Sequence, residues 1–305
     1  MKILLTGVTG QVGSQLEKVL HKYGQVVATS TQGCRNTIPM DLTSPSSIQQ
    51  VINEIRPQLI INPAAYTAVD KAEEDTQAAE AINSTAPAIL AQEAKNLGAG
   101  LIHFSTDYVY DGKGDKPFTE ESPTAPVNSY GKTKLAGDEA IIKANCPHWI
   151  LRTSWVWGSH GNNFVKTMLK LGGSREELNI INDQVGAPTS AATLAHIVDQ
   201  MLQKAGLQVI DFMTETSGIY HAVNSGETTW HGFATEIFKQ AHTRGFPLKI
   251  EKVGAITTEQ YPTPATRPLN SRLSLSKLEK TFQITPESWQ EALITGMDPL
   301  LLSLS

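Results

Sequence analysis

The apolar positions of this chain fall first into short unbroken runs, each closed by a glycine, a proline or a small polar residue. Ile3-Leu4-Leu5-Thr6 runs into Gly7, Leu59-Ile60-Ile61-Asn62 into Pro63, and Leu101-Ile102-His103-Phe104 into Ser105. A short apolar run without polar alternation is what a strand buried on both faces requires, and such strands belong to parallel sheets covered by helices. Between the runs the period changes. Val12, Leu16, Val19 and Leu20 share one helical face, residues 46–56 read as a helix stopped by Pro57, and the alanine-rich stretch 71–97 is helical with a break near Asp75 and Thr76. Residues 25–30 and 148–154 supply further strands. This alternation over residues 1–155 predicts an α/β fold, a Rossmann-type doubly wound parallel sheet. Beyond it the rhythm loosens. A helix start at 162–169, a strand and turn at 180–189, helices at 191–204 and 229–243, a strand at 219–223 and a proline- and arginine-rich stretch at 261–273 follow. No internal repeat is present.

Composition narrows the classes. With 40% hydrophobic and 18% charged residues over 305 positions, the chain can bury a large core. A net charge of −5 with no basic tract argues against nucleic acid as a partner. No apolar run reaches membrane-spanning length, and Met1-Lys2 leads directly into a strand rather than a signal peptide. Cys34 and Cys146 are isolated thiols, and the 8 histidines form no metal-binding cluster, so no metal and a reducing, cytoplasmic setting are expected.

Candidate chemistry sits at the ends of the runs. Gly7-Val8-Thr9-Gly10-Gln11-Val12-Gly13 lies between a strand and a helix, where glycines permit a tight turn and a helix N-terminus offers unpaired N–H groups to a pyrophosphate. The spacing is GxxGxxG rather than GxGxxG. At the end of the second strand, the usual place of an acid for the adenosine ribose, Thr29 to Arg35 contain none. Ser30 and Arg35 suit a 2′-phosphate instead, so NADPH is expected, with NADH as the second cofactor. Asp41-Leu42-Thr43-Ser44 is either a loop beneath the adenine or a plain N-cap for the next helix. Ala64 and Ala65 would let a cofactor approach the backbone, and Thr106 stands at a strand end where ligands bind in such sheets. In Ser129-Tyr130-Gly131-Lys132-Thr133-Lys134, Tyr130 and Lys134 are one helical turn apart. An ammonium there would draw down the tyrosine pKa, making the pair an acid–base couple for a carbonyl that receives a hydride, with Thr106 polarising its oxygen.

Taken together the motifs resemble the extended short-chain dehydrogenase/reductase family. The likeness rests on Thr9-Gly10-Gln11-Val12-Gly13, on residues 64–73 (AAYTAVDKAE), on Ser105-Thr106-Asp107-Tyr108-Val109 and on residues 130–137 (YGKTKLAG). It continues through Arg152-Thr153-Ser154-Trp155-Val156, residues 182–189 (NDQVGAPT), Arg267-Pro268 and Asn270-Ser271-Arg272-Leu273. The resemblance implies NAD(P)H-dependent reduction of the 4-keto group of dTDP-4-dehydro-L-rhamnose, with a dTDP-linked 4-keto-6-deoxysugar as partner and a monomer or homodimer as assembly. It implies that Gly10, Gln11, Val12, Ala65, Tyr66 and Thr67 line the cofactor. Thr106, Asp107 and Trp155 would meet the sugar, with Val69, Tyr108, Asn163 and Arg267 as further substrate residues. Residues 1–155 would form the cofactor domain, with segments of about 178–225 returning to it, and 156–305 the substrate lobe. Where relatives with a metal-bridged dimer carry glutamates, this chain has Gln15 and Ala192.

Two rival readings share the fold. Dehydratases follow the threonine with an Asp-Glu pair, whereas Thr106 is followed here by Asp107 and Tyr108, which favours a net reductase over a dehydratase or epimerase. A non-catalytic regulatory subunit could keep the fold while losing Thr106, Tyr130 or Lys134, and all three are present.

Overall fold

The computed structural model describes residues 1–33 and 36–304; Cys34 and Arg35, and the expectations placed on them, lie outside the described residues. Six strands of its central sheet come from the first half of the chain: β1 (Lys2–Leu5), β2 (Gln25–Ser30), β3 (Ile38–Pro39), β4 (Leu59–Asn62), β5 (Gly100–Thr106) and β6 (His148–Thr153). A seventh strand, Gly218–His221, arrives much later and lies outside β6. Across the sheet the order is Gly218–His221, β6, β5, β4, β1, β2, β3, and every neighbouring pair is parallel. This is the doubly wound arrangement, with its order reversing between β1 and β4.

The unbroken apolar runs have a direct cause. Every residue of β4, β5 and β6 is buried, and alternate side chains enter two different cores. Ile3, Leu5, Leu59, Ile61, Ile102, Phe104, Trp149 and Leu151 face one side, while Leu4, Ile60, Leu101 and Ile150 face the other. The first side is sealed by α1 (Gln11–Leu20) and by α7 (Ala191–Ala205) through Leu16, Leu194 and Val198. The second is sealed by α2 (Pro45–Ile55), α4 (Ala86–Leu97) and α5 (Ser129–Ala144) through Ile52, Leu90 and Ile141. The break expected near Asp75 is real: Asp75 caps α3 (Thr76–Glu80), which passes through the π-helical turn Ala81–Thr85 into α4. Asp41 is not the cap of α2; Ser44 is, accepting from the Ser47 N–H, with Pro45 at the first helical position.

The smaller lobe gathers α6 (Phe164–Gly172), the parallel strands Glu177–Ile181 and Lys252–Ile256, and the helices Trp230–Thr243 and Trp289–Leu302 around Phe233, Ile237, Leu293 and Met297. Among the elements with no counterpart in the sequence reading are β3 at the sheet edge and, toward the C-terminus, Val209–Glu215, Lys252–Ile256, Ser276–Phe282 and Trp289–Leu302. Two are single short helices of 7 residues each, Lys252–Ile256 is half-exposed with no alternation, and the last helix contains Pro299, which reads as a breaker. No helix among the described residues is long and apolar enough to cross a membrane.

Candidate active site

The carboxyl ends of β1, β4, β5 and β6 open into a cavity of about 630 Å³ that continues against the lobe. Its floor is the glycine turn. Gly7 has φ +56°, and a side chain there would also meet the Ala64 Cβ at 2.8 Å. Gly13 has no such backbone demand; a Cβ on it would stand 2.2 Å from the Gly7 carbonyl oxygen, so only glycine lets the first turn of α1 pack on the loop. Gly10 is the N-cap of α1, and no side chain among the described residues caps it; the first turn carries no acid. Its N–H groups are thus left for an anion. Ala64, Ala65 and Thr67 form the adjoining wall.

The catalytic candidates meet at the end of β5. Asn128 caps α5 by accepting from the Gly131 N–H at 2.8 Å, and this sets the phase of the helix. Tyr130, Lys134 and Asp138 then fall on its buried face. An apolar stripe would normally occupy that face. Tyr130 and Lys134 both line the cavity, as do Thr106, Asp107 and Tyr108. The Thr106 hydroxyl donates to Asp107 Oδ1 at 3.0 Å. Burial pushes the Asp107 carboxyl up to about 6, against the neighbouring Ser271 hydroxyl, which approaches it without a well-formed bond, and that of Thr106. Among the described residues neither Asp107 Oδ2 nor the Thr153 hydroxyl has a hydrogen-bond partner in good geometry. Both are buried, and both belong to cavity-lining residues. Unpartnered polar atoms so placed fit a polar ligand.

One expectation is corrected here. The tyrosine pKa is not drawn down on balance: burial raises it well above its usual range, and the facing Thr106 hydroxyl opposes this only in part. The lysine is engaged elsewhere, its Nζ donating to the Phe104 carbonyl at 2.6 Å and lying 3.1 Å from His103 Nε2. Burial in turn lowers Lys134 to about 8, against the favourable field of Asp138.

The lobe closes the cavity with aromatic rings. Trp155, at φ +48°, stacks on Trp230 with ring centres 3.7 Å apart. A bulky side chain in left-handed backbone is strained by about 1–2 kcal/mol, and the stack holds it there. Arg267 reaches in from the proline-rich stretch, donating to the Tyr108 hydroxyl at 3.2 Å and to Asp70 Oδ2 at 2.6 Å. Val69 lies beside it on the wall.

Other candidates sit outside the lining. Ser30 is buried at the end of β2 and bonded to the Thr37 hydroxyl at 2.8 Å. The Asp41 carboxylate receives the Thr43 N–H and hydroxyl, which hold its pKa down. Leu42 packs against the core on the α2 side. Tyr66 joins the cavity wall only through its neighbours: its backbone N–H and carbonyl are both held by the Asn83 side chain from the π-helical turn. Asn163 caps α6 and donates to Gln11 Oε1 at 3.0 Å, tying the lobe to the glycine turn.

Comparison with known proteins places this geometry. The RmlD substrate binding domain family matches residues 1–301. The dTDP-4-dehydrorhamnose reductase of Escherichia coli K12 is 44% identical over 297 residues, covering 95% of each chain. The chain belongs to the dTDP-4-dehydrorhamnose reductase family. Within that family, the crystal structure of the reductase from Clostridium acetobutylicum superposes with a TM-score of 0.86 at 40% identity, covering 99% of this chain and 100% of that one. The reductase of Bacillus anthracis, solved in complex with NADP, gives 0.86 at 34% identity over 97% and 98%. Against this dTDP-4-dehydrorhamnose reductase background, sequence reasoning missed Trp230, Thr153 and Asn162 on the cavity wall. Thr153 lay inside a quoted motif and could have been singled out. Trp230 had no local signal, because its position is set by a contact across 75 residues with Trp155.

Proposed function

We propose that the cavity binds NADPH and dTDP-4-dehydro-L-rhamnose side by side, and that the chain reduces the 4-keto group to give dTDP-L-rhamnose. The observation that carries the reading is the convergence of Tyr130, Lys134 and Thr106 at one end of a cavity whose other end is the uncapped α1 N-terminus. The nicotinamide, when bound, supplies the hydride. The protein supplies the rest. Gly10, Gln11, Val12 and Gly13 would hold the pyrophosphate, Ala64, Ala65 and Thr67 would flank the nicotinamide half, and Ser30 would lie near the adenosine ribose. Thr106 would hydrogen-bond the ketone oxygen while Tyr130 delivers its proton to the same atom. Burial keeps Tyr130 protonated until charge develops on that oxygen, as a general acid must be. Lys134 would hold the nicotinamide ribose and replace the tyrosine proton. Asp107, whose buried Oδ2 has no well-formed hydrogen bond, would receive a sugar hydroxyl, and Arg267 with Trp155 would orient the nucleotide sugar.

A dehydratase needs a second carboxylate after Asp107. That place is taken by Tyr108, whose hydroxyl is bound by Arg267, so water loss has no base there. We assign residues 1–155, with the segment of about 178–225, to the cofactor and the lobe of 156–305 to the sugar nucleotide. We place the activity in the cytoplasm, the reducing setting in which isolated thiols such as Cys34 and Cys146 are expected. The test is NADPH oxidation at 340 nm with dTDP- and UDP-linked 4-keto-6-deoxysugars, with product stereochemistry read by NMR. Stoichiometric oxidation with a rhamno product is expected. Recycling of cofactor without net oxidation, or no turnover by folded protein, would overturn the reading.

A further inference from the structure

Behind Lys134 runs a buried polar chain that the proposed reaction leaves unused. Thr6, Asn62 and His103 are each 0% exposed and come from β4, β5 and the residue after β1. The Thr6 hydroxyl donates to Asn62 Oδ1 at 2.6 Å and accepts the Ala64 N–H at 3.4 Å. Asn62 Nδ2 lies 3.1 Å from His103 Nδ1, and His103 Nε2 lies 3.1 Å from Lys134 Nζ.

Donors and acceptors along this chain can be counted. Thr6 has one hydroxyl proton and places it on Asn62 Oδ1, which turns the amide N–H groups toward the imidazole. His103 Nδ1 must therefore accept. A neutral imidazole then carries its proton on Nε2, pointing at Lys134. A neutral amine has a lone pair for that proton; an ammonium would set N–H against N–H. We propose that His103 is a positioning residue for Lys134: locked as the Nε2–H tautomer by Asn62 and Thr6, it opposes the ammonium form, so that the lysine yields its proton readily to Tyr130. The inference rests on the ketoreductase reading above. In the proton step, Tyr130 gives its hydroxyl proton to the ketone oxygen, Lys134 gives one N–H proton to the resulting phenolate, and the amine so formed is met by the His103 Nε2–H.

The surrounding charges are consistent with this division. On α5 itself Lys134 faces Tyr130 and Asp138; from β5 it faces His103 and, at the strand end, Asp107. From β6, Arg152 binds Asp138 at 3.1 Å and offsets the one group that favours the ammonium. His103 itself stays neutral, since burial and Lys134 hold its pKa well below the usual range.

The first arm uses ligand-free protein. Two-bond 15N–1H correlation of 15N-histidine-labelled chain, assigned with His103→Phe, should show His103 as the Nε2–H tautomer. An Nδ1–H signal would overturn the proposal whether or not the enzyme reduces the sugar. The second arm is the alkaline limb of kcat/KM for reduction, which falls as the required proton is lost. His103→Phe removes the opposing donor, and Thr6→Val frees Asn62 to turn over and accept from His103 Nδ1–H. Both should move the limb upward, by about one pH unit. A purely structural role would lower the rate without moving the limb, and an unmoved limb in Thr6→Val would refute the proposal even where His103→Phe fails to fold.

Discussion

Gly13→Ala tests the floor of the site with one methyl group. Its Cβ would stand 2.2 Å from the Gly7 carbonyl oxygen, 2.8 Å from the Gly7 carbonyl carbon and 2.9 Å from Val8 Cα. All three are backbone atoms, so no side chain can rotate aside. Restoring ordinary contact requires the start of α1 to move by about 1 Å off the β1 turn, and overpacking of this kind costs about 1–3 kcal/mol. The same movement carries the first-turn N–H groups away from the pyrophosphate. Losing one or two hydrogen bonds to a charged group, at about 1.5 kcal/mol or more each, corresponds to a loss of about 10–100-fold in affinity. Gly10→Ala is the control, because its Cβ would meet the Gly7 oxygen at 3.2 Å, a contact relieved by a few tenths of an ångström. The assay is NADPH titration by fluorescence beside thermal unfolding of both variants. A Gly13→Ala protein with wild-type midpoint and affinity within twofold would refute the close-packing argument, as would a larger drop in unfolding midpoint for Gly10→Ala.

Three further outcomes are expected. Tyr130→Phe should lower kcat by about 10²–10⁴ with NADPH affinity unchanged, since the ring stays and only the acid goes; near-normal turnover would remove Tyr130 from the mechanism. NADPH should be preferred over NADH in kcat/KM, and Ser30→Asp should reverse the order by setting a carboxylate against the 2′-phosphate; a wild-type preference for NADH of about tenfold, or 1.4 kcal/mol, would contradict this. Asp107 is raised to about 6 from an ordinary 3.8, so the native state holds its proton more tightly than the unfolded chain, and stability falls as pH rises through that window. Asp107→Asn should remove this dependence and stabilise the ligand-free protein at pH 7 by about 3 kcal/mol at most, while weakening sugar binding; unchanged denaturant midpoints from pH 4 to 7 in both proteins would show that Asp107 is not desolvated.

What could be read in advance depended on how local its cause was. The strand, glycine turn and helix of residues 2–20 are written in adjacent positions, because the positive φ of Gly7 is a property of its own backbone and Gly13 answers to Gly7 and Val8; the close approach of Ala64 to Gly7 is not written there. The strand runs were legible because burial on both faces leaves no place for polar alternation. Tyr130 and Lys134 were legible as a spacing, but the partner of Lys134 was not: His103 reads as a stray polar residue in an apolar strand, although a histidine and the asparagine ending β4 are the two signals that could have raised it. The Arg267 bond to Asp70 spans 197 residues and the Trp155 stack needs a helix from the lobe, so neither has a trace in local pattern. Tyr66 and Asp41 show the converse case, legible as motif residues but not in their contacts. Asn83 holds the backbone of the one and Thr43 bonds the carboxylate of the other, and neither partner was named by the pattern.

The late arrival of the seventh strand bears on how the chain folds as it is made. Trp149 on β6 is covered by Phe212 and Phe282, and Phe282 also meets Tyr220 beside it. The sheet therefore waits for residues 218–221 for its edge and for the helix Ser276–Phe282 for its seal. Folding units generally close from the N-terminus during synthesis, but here the sheet that the first strand begins is sealed at its far edge by nearly the last helix. A ribosome-bound chain that ends before residue 276 carries an open apolar sheet face, so holdase chaperones should engage it throughout elongation, and protease resistance should appear only as the C-terminus is released.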